Sequence, residues 1–440
     1  MSRRSRSLVA LAALLASVAI TPPASGARTC FGKSATIVGS NRSQREAVEL
    51  HGTRGDDVIV GLGGWDIVDG RGGNDLICTG GGDDYVEAGR GNDKIAGGDG
   101  IDTLHGGRGH DRILGGRGPA DSLVGAGGND LLFGGPGTED SLIGGAGDDR
   151  LDGGPGYDLA EFFDATGGIE ADLTTGLALG RGRDELVSIE GLSGTRFDDI
   201  LVGDELSNML QGDFGNDTIS ALGSEGDGGA DVLRSGGGSD VLDGGDGPDI
   251  VSYNISPYPV RADLAAGDAT TELGQDTLIG IEHLVGSKYD DTLTGNGADN
   301  VIVGNRGDDV MDGGEGIDEI AFFDSAAPVV ADLVEGTALA EGWGSDAFTS
   351  FENLSGSAYA DTLTGSDDAN LIWGGGRNDT LRGLAGDDTL LGATGVDDAD
   401  GGDGTDACEA ETQSACESVP ARAGTPASFG WAPSGRWSPW

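Results

Sequence analysis

Carboxylates recur along this chain at a fixed interval. Asp57, Asp66, Asp75, Asp84, Asp93, Asp102, Asp111, Asp121, Asp130, Asp140, Asp149 and Asp158 follow one another nine residues apart, with two steps of ten. The series resumes at Asp199, Asn208 and Asp217, and again at Asp231, Asp240 and Asp249. It returns at Asp291, Asn300, Asp309 and Asp318, and at Asp361, Asn370, Asp379, Asp388, Asp397 and Asp406. A glycine-rich turn precedes nearly every member, as in Gly97-Gly98-Asp99-Gly100-Ile101-Asp102. Two such carboxylates, with carbonyls left free by glycine bends, make an anionic, somewhat flexible cage of oxygens. Calcium takes six to eight oxygens in a cage of this kind, whereas magnesium demands stricter octahedral geometry. Softer metals want His or Cys, and neither recurs here. The plainer reading is that Asp merely forms turns with glycine. Turn chemistry accepts Asn, Ser or Gly equally, yet Asp dominates one slot. The candidate calcium ligands are the first twelve aspartates with Asp217, Asp231, Asp240, Asp249, Asp309, Asp318, Asp379, Asp388, Asp397 and Asp406.

No other chemistry assembles. His51, His105, His110 and His283 are scattered, with no HExxH and no Gly-x-Ser-x-Gly elbow. His105 and His110 fall at variable turn positions and read as solvated. Outside the repeats lie only about residues 28–51 and 407–440, too few for a catalytic domain, so no enzyme is expected.

The elements that must hold the carboxylates follow from the aliphatics. Ile59, Val68, Ile77, Val86, Ile95, Leu104, Ile113, Leu123, Leu132, Leu142 and Leu151 each stand two residues after an aspartate. Nine residues divide into six of turn and three of strand, and two such units close one flattened coil of eighteen. Stacked coils pair their strands in parallel, about 4.8 Å apart, with the aliphatics inside. Asp57 then faces Asp75, and Asp66 faces Asp84, up both edges. Two aliphatics per coil return too little to order eighteen residues, so cation binding and folding are expected to be one event.

The gaps between repeat blocks repeat too. Each carries an aromatic (Phe162, Tyr253, Phe322), an Ala-Asp-Leu (around Asp172, Asp263, Asp332) and a glutamate nine residues before the next block (Glu190, Glu282, Glu352). Asp184–Ile189 and Asp276–Ile281 alternate as strands do, so the inserts read as extra coils in the same stack. The division expected is a leader at 1–27 and a cap at 28–51. Repeat blocks fall at 52–160, 199–250, 291–319 and 361–407. Inserts fall at 161–198, 251–290 and 320–360, and a disulfide cap with a flexible tail at 408–440. The leader reading rests on Arg3, Arg4 and Arg6, an apolar run from Leu8 to Ile20, and Ser25-Gly26-Ala27. No later segment is apolar enough to span a bilayer. The tail carries Phe429, Trp431, Trp437 and Trp440 among Pro, Ala, Gly and Ser. Export and an even cysteine count suggest two disulfides. Three pairings are possible, of which Cys30–Cys78 with Cys408–Cys416 is preferred because it staples both ends. A net charge of −50 repels nucleic acid and strains a compact chain unless cations neutralise it.

The repeat resembles the RTX nonapeptide G-G-x-G-x-D-x-U-x of hemolysin-type calcium-binding proteins. Gly97 to Leu104, Gly106 to Ile113 and Gly144 to Leu151 match it closely, and the resemblance covers about residues 52–406. It implies an all-β, right-handed parallel β-roll, interrupted by three β-rich inserts, with many calcium ions held by turn aspartates and glycine carbonyls. Such inserts often interrupt these arrays in bacterial extracellular proteins. The implied protein is secreted, non-catalytic and folded by calcium. A calcium-dependent surface or matrix adhesin is the alternative, ahead of a non-catalytic remnant or partner of an exoenzyme. There are departures. The family often exports by a C-terminal signal rather than a leader. Pro119 and Thr138-Glu139 lengthen two turns and are expected to weaken the sites at Asp121 and Asp140. Asn208, Asn300 and Asn370 replace carboxylates. The fourteen-residue step from Asp217 to Asp231 is expected to break one edge. Ala160 replaces the aliphatic after Asp158.

Overall fold

In a computed structural model, residues 29–40, 47–221 and 229–416 are described. The leader and the aromatics of the tail lie outside these residues. The described chain is all β, and its short strands stack into two long sheets that face each other. Ile59, Ile77, Ile95 and Ile113 pair in succession in one sheet. Val68, Val86, Leu104 and Leu123 do so in the other. Partners are eighteen residues apart, or nineteen where a turn carries one extra residue as between Leu104 and Leu123, so two nonapeptides make one coil. Aliphatics two places after each aspartate fill the space between the sheets and are almost fully buried. Their flanking residues point outward, as the two-residue period of a strand requires.

Pairing runs further than three residues. In the first block it continues into the turn glycines, as in Lys94–Asp99 against Arg112–Arg117, where Gly98 meets Gly116. His105 therefore lies on a strand, Thr103–Arg108, and packs against the Tyr85 ring at 5.7 Å, rather than in a solvated turn. His110 does occupy an exposed turn.

The inserts belong to the stack but are not parallel coils. After Leu159–Glu161 the chain forms Glu170–Asp172, Leu177–Leu179 and Arg183–Val187, paired antiparallel in sequence. The first of these lies parallel to Ile200–Val202 and the last parallel to Arg150–Asp152. One sheet thus takes three strands where the other passes directly from Leu159–Glu161 to Gly191–Ser193. The other inserts repeat this plan.

Two expected defects do not arise. The long step before Asp231 breaks neither edge, since both sheets shift together and Met209 pairs with Val232 as Thr218 pairs with Val241. The lengthened turns at Pro119 and Thr138 stack on one another, with the Thr138 and Glu139 amides donating to the Pro119 carbonyl. At the start, Ile37 pairs with Ile59 to open the stack. Cys30, bonded to Cys78, packs over Val60, Leu76 and Ala96. Cys408–Cys416 closes the other end. These are the two preferred pairings.

Candidate metal centre

The aspartates line both edges of the stack, and one carboxylate oxygen of each except Asp66, where both are bare, is fixed by backbone. The Asp57 N–H donates to Asp75 Oδ1 at 2.8 Å, Asp75 to Asp93 at 2.7 Å, and Asp93 to Asp111 at 2.7 Å. Asp130 and Asp149 extend this edge. On the other edge the sequence runs Asp66, Asp84, Asp102, Asp121, Asp140 and Asp158, each N–H donating to the next Oδ1 at 2.8–2.9 Å. Asp121 and Asp140 sit no differently from their neighbours. The later blocks repeat the ladders through Asp217, Asp231, Asp240, Asp249, Asp309, Asp318, Asp379, Asp388, Asp397 and Asp406.

Where a block ends, side chains from elsewhere continue the ladders. Asp149, Asp240 and Asp309 donate to Asp184, Asp276 and Asp346. Asp158, Asp249 and Asp318 donate to Glu190, Glu282 and Glu352, and Asp397 donates to Glu411. None of these seven was a sequence candidate. The recurring glutamates were visible as a pattern, but nothing in their spacing assigned them this role.

The second oxygen, Oδ2, is buried and meets no donor. This holds along the first block at Asp66, Asp75, Asp84, Asp93, Asp102, Asp111, Asp121, Asp130, Asp140, Asp149 and Asp158. It holds again at Asp217, Asp231, Asp240, Asp249, Asp309, Asp318, Asp379 and Asp388. Beside it lies the α-carbon of the turn's first glycine. At Gly125 an added Cβ would come within 2.5 Å of Asp130 Oδ2 and 2.6 Å of the Gly144 carbonyl oxygen. Gly115 and Gly134 leave the same hollow for Asp121 and Asp140. A small space bordered by a carboxylate oxygen and a carbonyl oxygen therefore recurs in these turns.

The next residue explains the missing donor. It takes a left-handed backbone, at Gly98 (φ 131°) and Gly107 (φ 106°), but also at Leu62 (φ 87°), Arg71 (φ 71°) and Ala126 (φ 76°). Non-glycine residues adopt this conformation at a cost.

Burial raises these carboxyls above the ordinary carboxylate range. It pushes Asp66, Asp93, Asp130, Asp140 and Asp379 up to about 7, and Asp102, Asp217, Asp249 and Asp309 up to about 8. Like-charged neighbours add to it, as Asp84 does beside Asp66. The N–H on Oδ1 opposes the rise without cancelling it, as at Asp93 and Asp102.

Asp57 departs from the expected set. Its Oδ2 already accepts the Thr53 N–H at 2.6 Å and the Thr53 hydroxyl at 2.9 Å. Asp199, Asp291 and Asp361 are satisfied likewise by Thr195, Ser287 and Ser357. The asparagines have their own solution. Asn300 and Asn370 donate Nδ2 to the Glu282 and Glu352 carbonyls at 2.7 Å, and Asn208 to Glu190 at 3.3 Å. Their Oδ1 atoms accept the Asn296, Ser366 and Asp204 amides. Asn74, Asn92 and Asn129 sit outside the cages, in an exposed side-chain-to-amide ladder that includes His110.

The fit to a hard cation is chemical. The donors are anionic and carbonyl oxygens, buried, with one acceptor site left open in each turn whose Oδ2 meets no donor. Among the described residues no three His, Cys, Asp or Glu side chains converge, so carbonyl oxygens must supply part of any coordination sphere. The sequence model of the RTX calcium-binding nonapeptide repeat matches residues 49–77, 79–95, 87–119, 120–138, 139–160, 193–223, 225–252, 285–320, 347–376 and 373–407, more than half of the chain. The longest stretches it leaves between matches fall within the inserts. No curated protein matches the chain.

Proposed function

The chain belongs to the RTX calcium-binding nonapeptide repeat family, and on that premise we propose that it is an extracellular, non-catalytic protein that winds up as it binds many calcium ions. The observation that carries this reading is the file of buried Oδ2 atoms with no donor. A buried anionic oxygen without a partner is costly, and this fold repeats the cost along the file from Asp66 to Asp158 and again in the later blocks. The proposed ligands are the carboxylates from Asp66 to Asp158, Asp217 to Asp249, Asp309, Asp318, Asp379 and Asp388, with Asp397 and Asp406 in the same ladders. Carbonyl oxygens of the turns complete each cage. Asp57 is left out because Thr53 already serves it. Bound calcium supplies the positive charge that cancels repulsion along each file.

Two disulfides and the basic, apolar, small-residue order of the N-terminus support an oxidising destination outside the cytoplasm. Low cytosolic calcium would keep the chain unwound and exportable, and calcium outside would coil it. Circular dichroism of the purified chain tests the proposal. A β signal weak in EGTA and restored by millimolar calcium is expected. A full β signal in EGTA, unchanged by calcium, would sink it.

A further inference from the structure

Some turns of this fold need no ion, and their positions are regular. After the second insert, Ser287 follows the turn's first glycine and Asn296 follows the next one. Neither is left-handed. Each points its own N–H onto the side chain four residues on, Ser287 onto Asp291 and Asn296 onto Asn300. The Asn300 amide then donates to the Glu282 carbonyl. A neutral amide thus bonds where a carboxylate would stand bare. The same two turns follow the first and third inserts. One complete coil behind every insert, one turn on each edge, is therefore satisfied by protein alone.

A second observation concerns packing. A repeat coil buries two aliphatics. The second insert buries Tyr253, Val260, Ala262, Leu264 and Ile281. The third buries Phe348 against Phe351, ring edge to face at 5.9 Å. The Tyr253 hydroxyl donates to Asp276 Oδ2 at 3.0 Å, so that ladder carboxylate also has a protein donor. Greater apolar burial and satisfied polar groups together favour folding without a ligand.

We propose that each insert and the coil behind it fold without calcium, and that the nonapeptide blocks wind onto these three units when the ion arrives. This rests on the calcium-coupled reading above. It makes the inserts nuclei rather than interruptions, and it makes residues 66–151 the most calcium-dependent part of the chain.

Amide exchange of the full chain, read by mass spectrometry in EGTA and in millimolar calcium, is the test. In EGTA, peptides from 159–211, 250–303 and 319–373 should exchange at least tenfold more slowly than those from 66–151, and calcium should slow the latter. Uniformly fast exchange that calcium slows everywhere would overturn this inference alone. Uniformly slow exchange in EGTA would overturn the calcium-coupled reading and this inference with it. The double substitution Asn300→Asp and Asn370→Asp removes the two amide donors. It should speed exchange of the coils behind the second and third inserts at least tenfold in EGTA, with calcium restoring protection. Unchanged protection in EGTA would overturn the role given to the amides.

Discussion

Two glycines of a single turn separate the proposed cation cradle from ordinary backbone. Gly125 and Gly127 both lack positive φ, so alanine is conformationally allowed at each. At Gly125 a methyl would meet Asp130 Oδ2 at 2.5 Å and the Gly144 carbonyl oxygen at 2.6 Å, both main features of the hollow. At Gly127 its nearest neighbour is the Gly107 oxygen at 3.9 Å, an ordinary contact. Gly125→Ala must therefore push the carboxylate back by roughly an ångström in a tightly packed interior, an overpacking cost of about 1–3 kcal/mol. It also removes one cage. An ion held tenfold more tightly than its free concentration contributes about 1.4 kcal/mol. Together these give roughly 2–4 kcal/mol of lost stability in calcium. Bound calcium counted by equilibrium dialysis, and coiling followed by circular dichroism during calcium titration, provide the assay. Gly125→Ala should bind less calcium and coil at a higher calcium concentration, while Gly127→Ala overlays the parent. If both variants behave like the parent, or both fail alike, the hollow beside Asp130 is not a binding site.

Other expectations concern the same turns and the two ends. Folding raises the Asp66, Asp84, Asp93 and Asp102 carboxyls above their usual value, so the ion-free fold is favoured below about pH 4 and loses stability as pH climbs through the range of about 6 to 8 where those groups ionise. In EGTA the β signal should be larger at pH 4 than at pH 8. In calcium the order should reverse, because only the ionised carboxylate binds metal, and the same order in both conditions would contradict the assignment. Ala126 is left-handed at φ 76°, so Ala126→Gly should raise the thermal midpoint by relieving about 1 kcal/mol of strain, and a lower midpoint would count against that strain. Cys30–Cys78 spans 48 residues and Cys408–Cys416 spans 8. Loop-closure entropy then predicts about 4 and about 2.5 kcal/mol for losing each bond, so Cys78→Ser should lower the denaturation midpoint more than Cys416→Ser.

Much of the architecture was legible because one repeat states it many times. The slot two residues after each aspartate predicted the buried file of Ile59, Ile77 and Ile95. The nine-residue period predicted partners eighteen apart. The inserts were legible as strands but not in direction. Alternation along Asp184–Ile189 is the same whether a partner runs parallel or antiparallel, and only the hydrogen bonds to Leu177–Leu179 decide it. The step before Asp231 looked like a break because a sequence shows one edge at a time. In the fold both edges absorb the extra residues together.

The distinction between turns with a bare carboxylate and turns satisfied by protein lay deeper. Glycine after glycine, as at Gly98, does announce the left-handed turn. Serine or threonine in that slot announces the other turn, as at Thr53, Thr195, Ser287, Ser357 and Ser366. Aspartate and asparagine announce neither. Asp204 and Asp213 are the same residue in the same slot, nine apart, yet only Asp213 is left-handed (φ 70°). Asp204 instead gives its amide to Asn208. Asn296 and Asn305 repeat the contrast, with Asn305 at φ 67° and the Asn296 amide on Asn300. What differs is the layer beneath. Asn208 and Asn300 stack over Glu190 and Glu282, whose own amides are drawn back to the Asp158 and Asp249 carbonyls. No N–H rises from that layer to Asn208 or Asn300 Oδ1, and each accepts one from its own loop instead. In these asparagine turns the residue after the first glycine does not decide the outcome, because the same residue type takes both forms nine places apart. There the layer beneath makes the difference, and a single nonapeptide does not contain it.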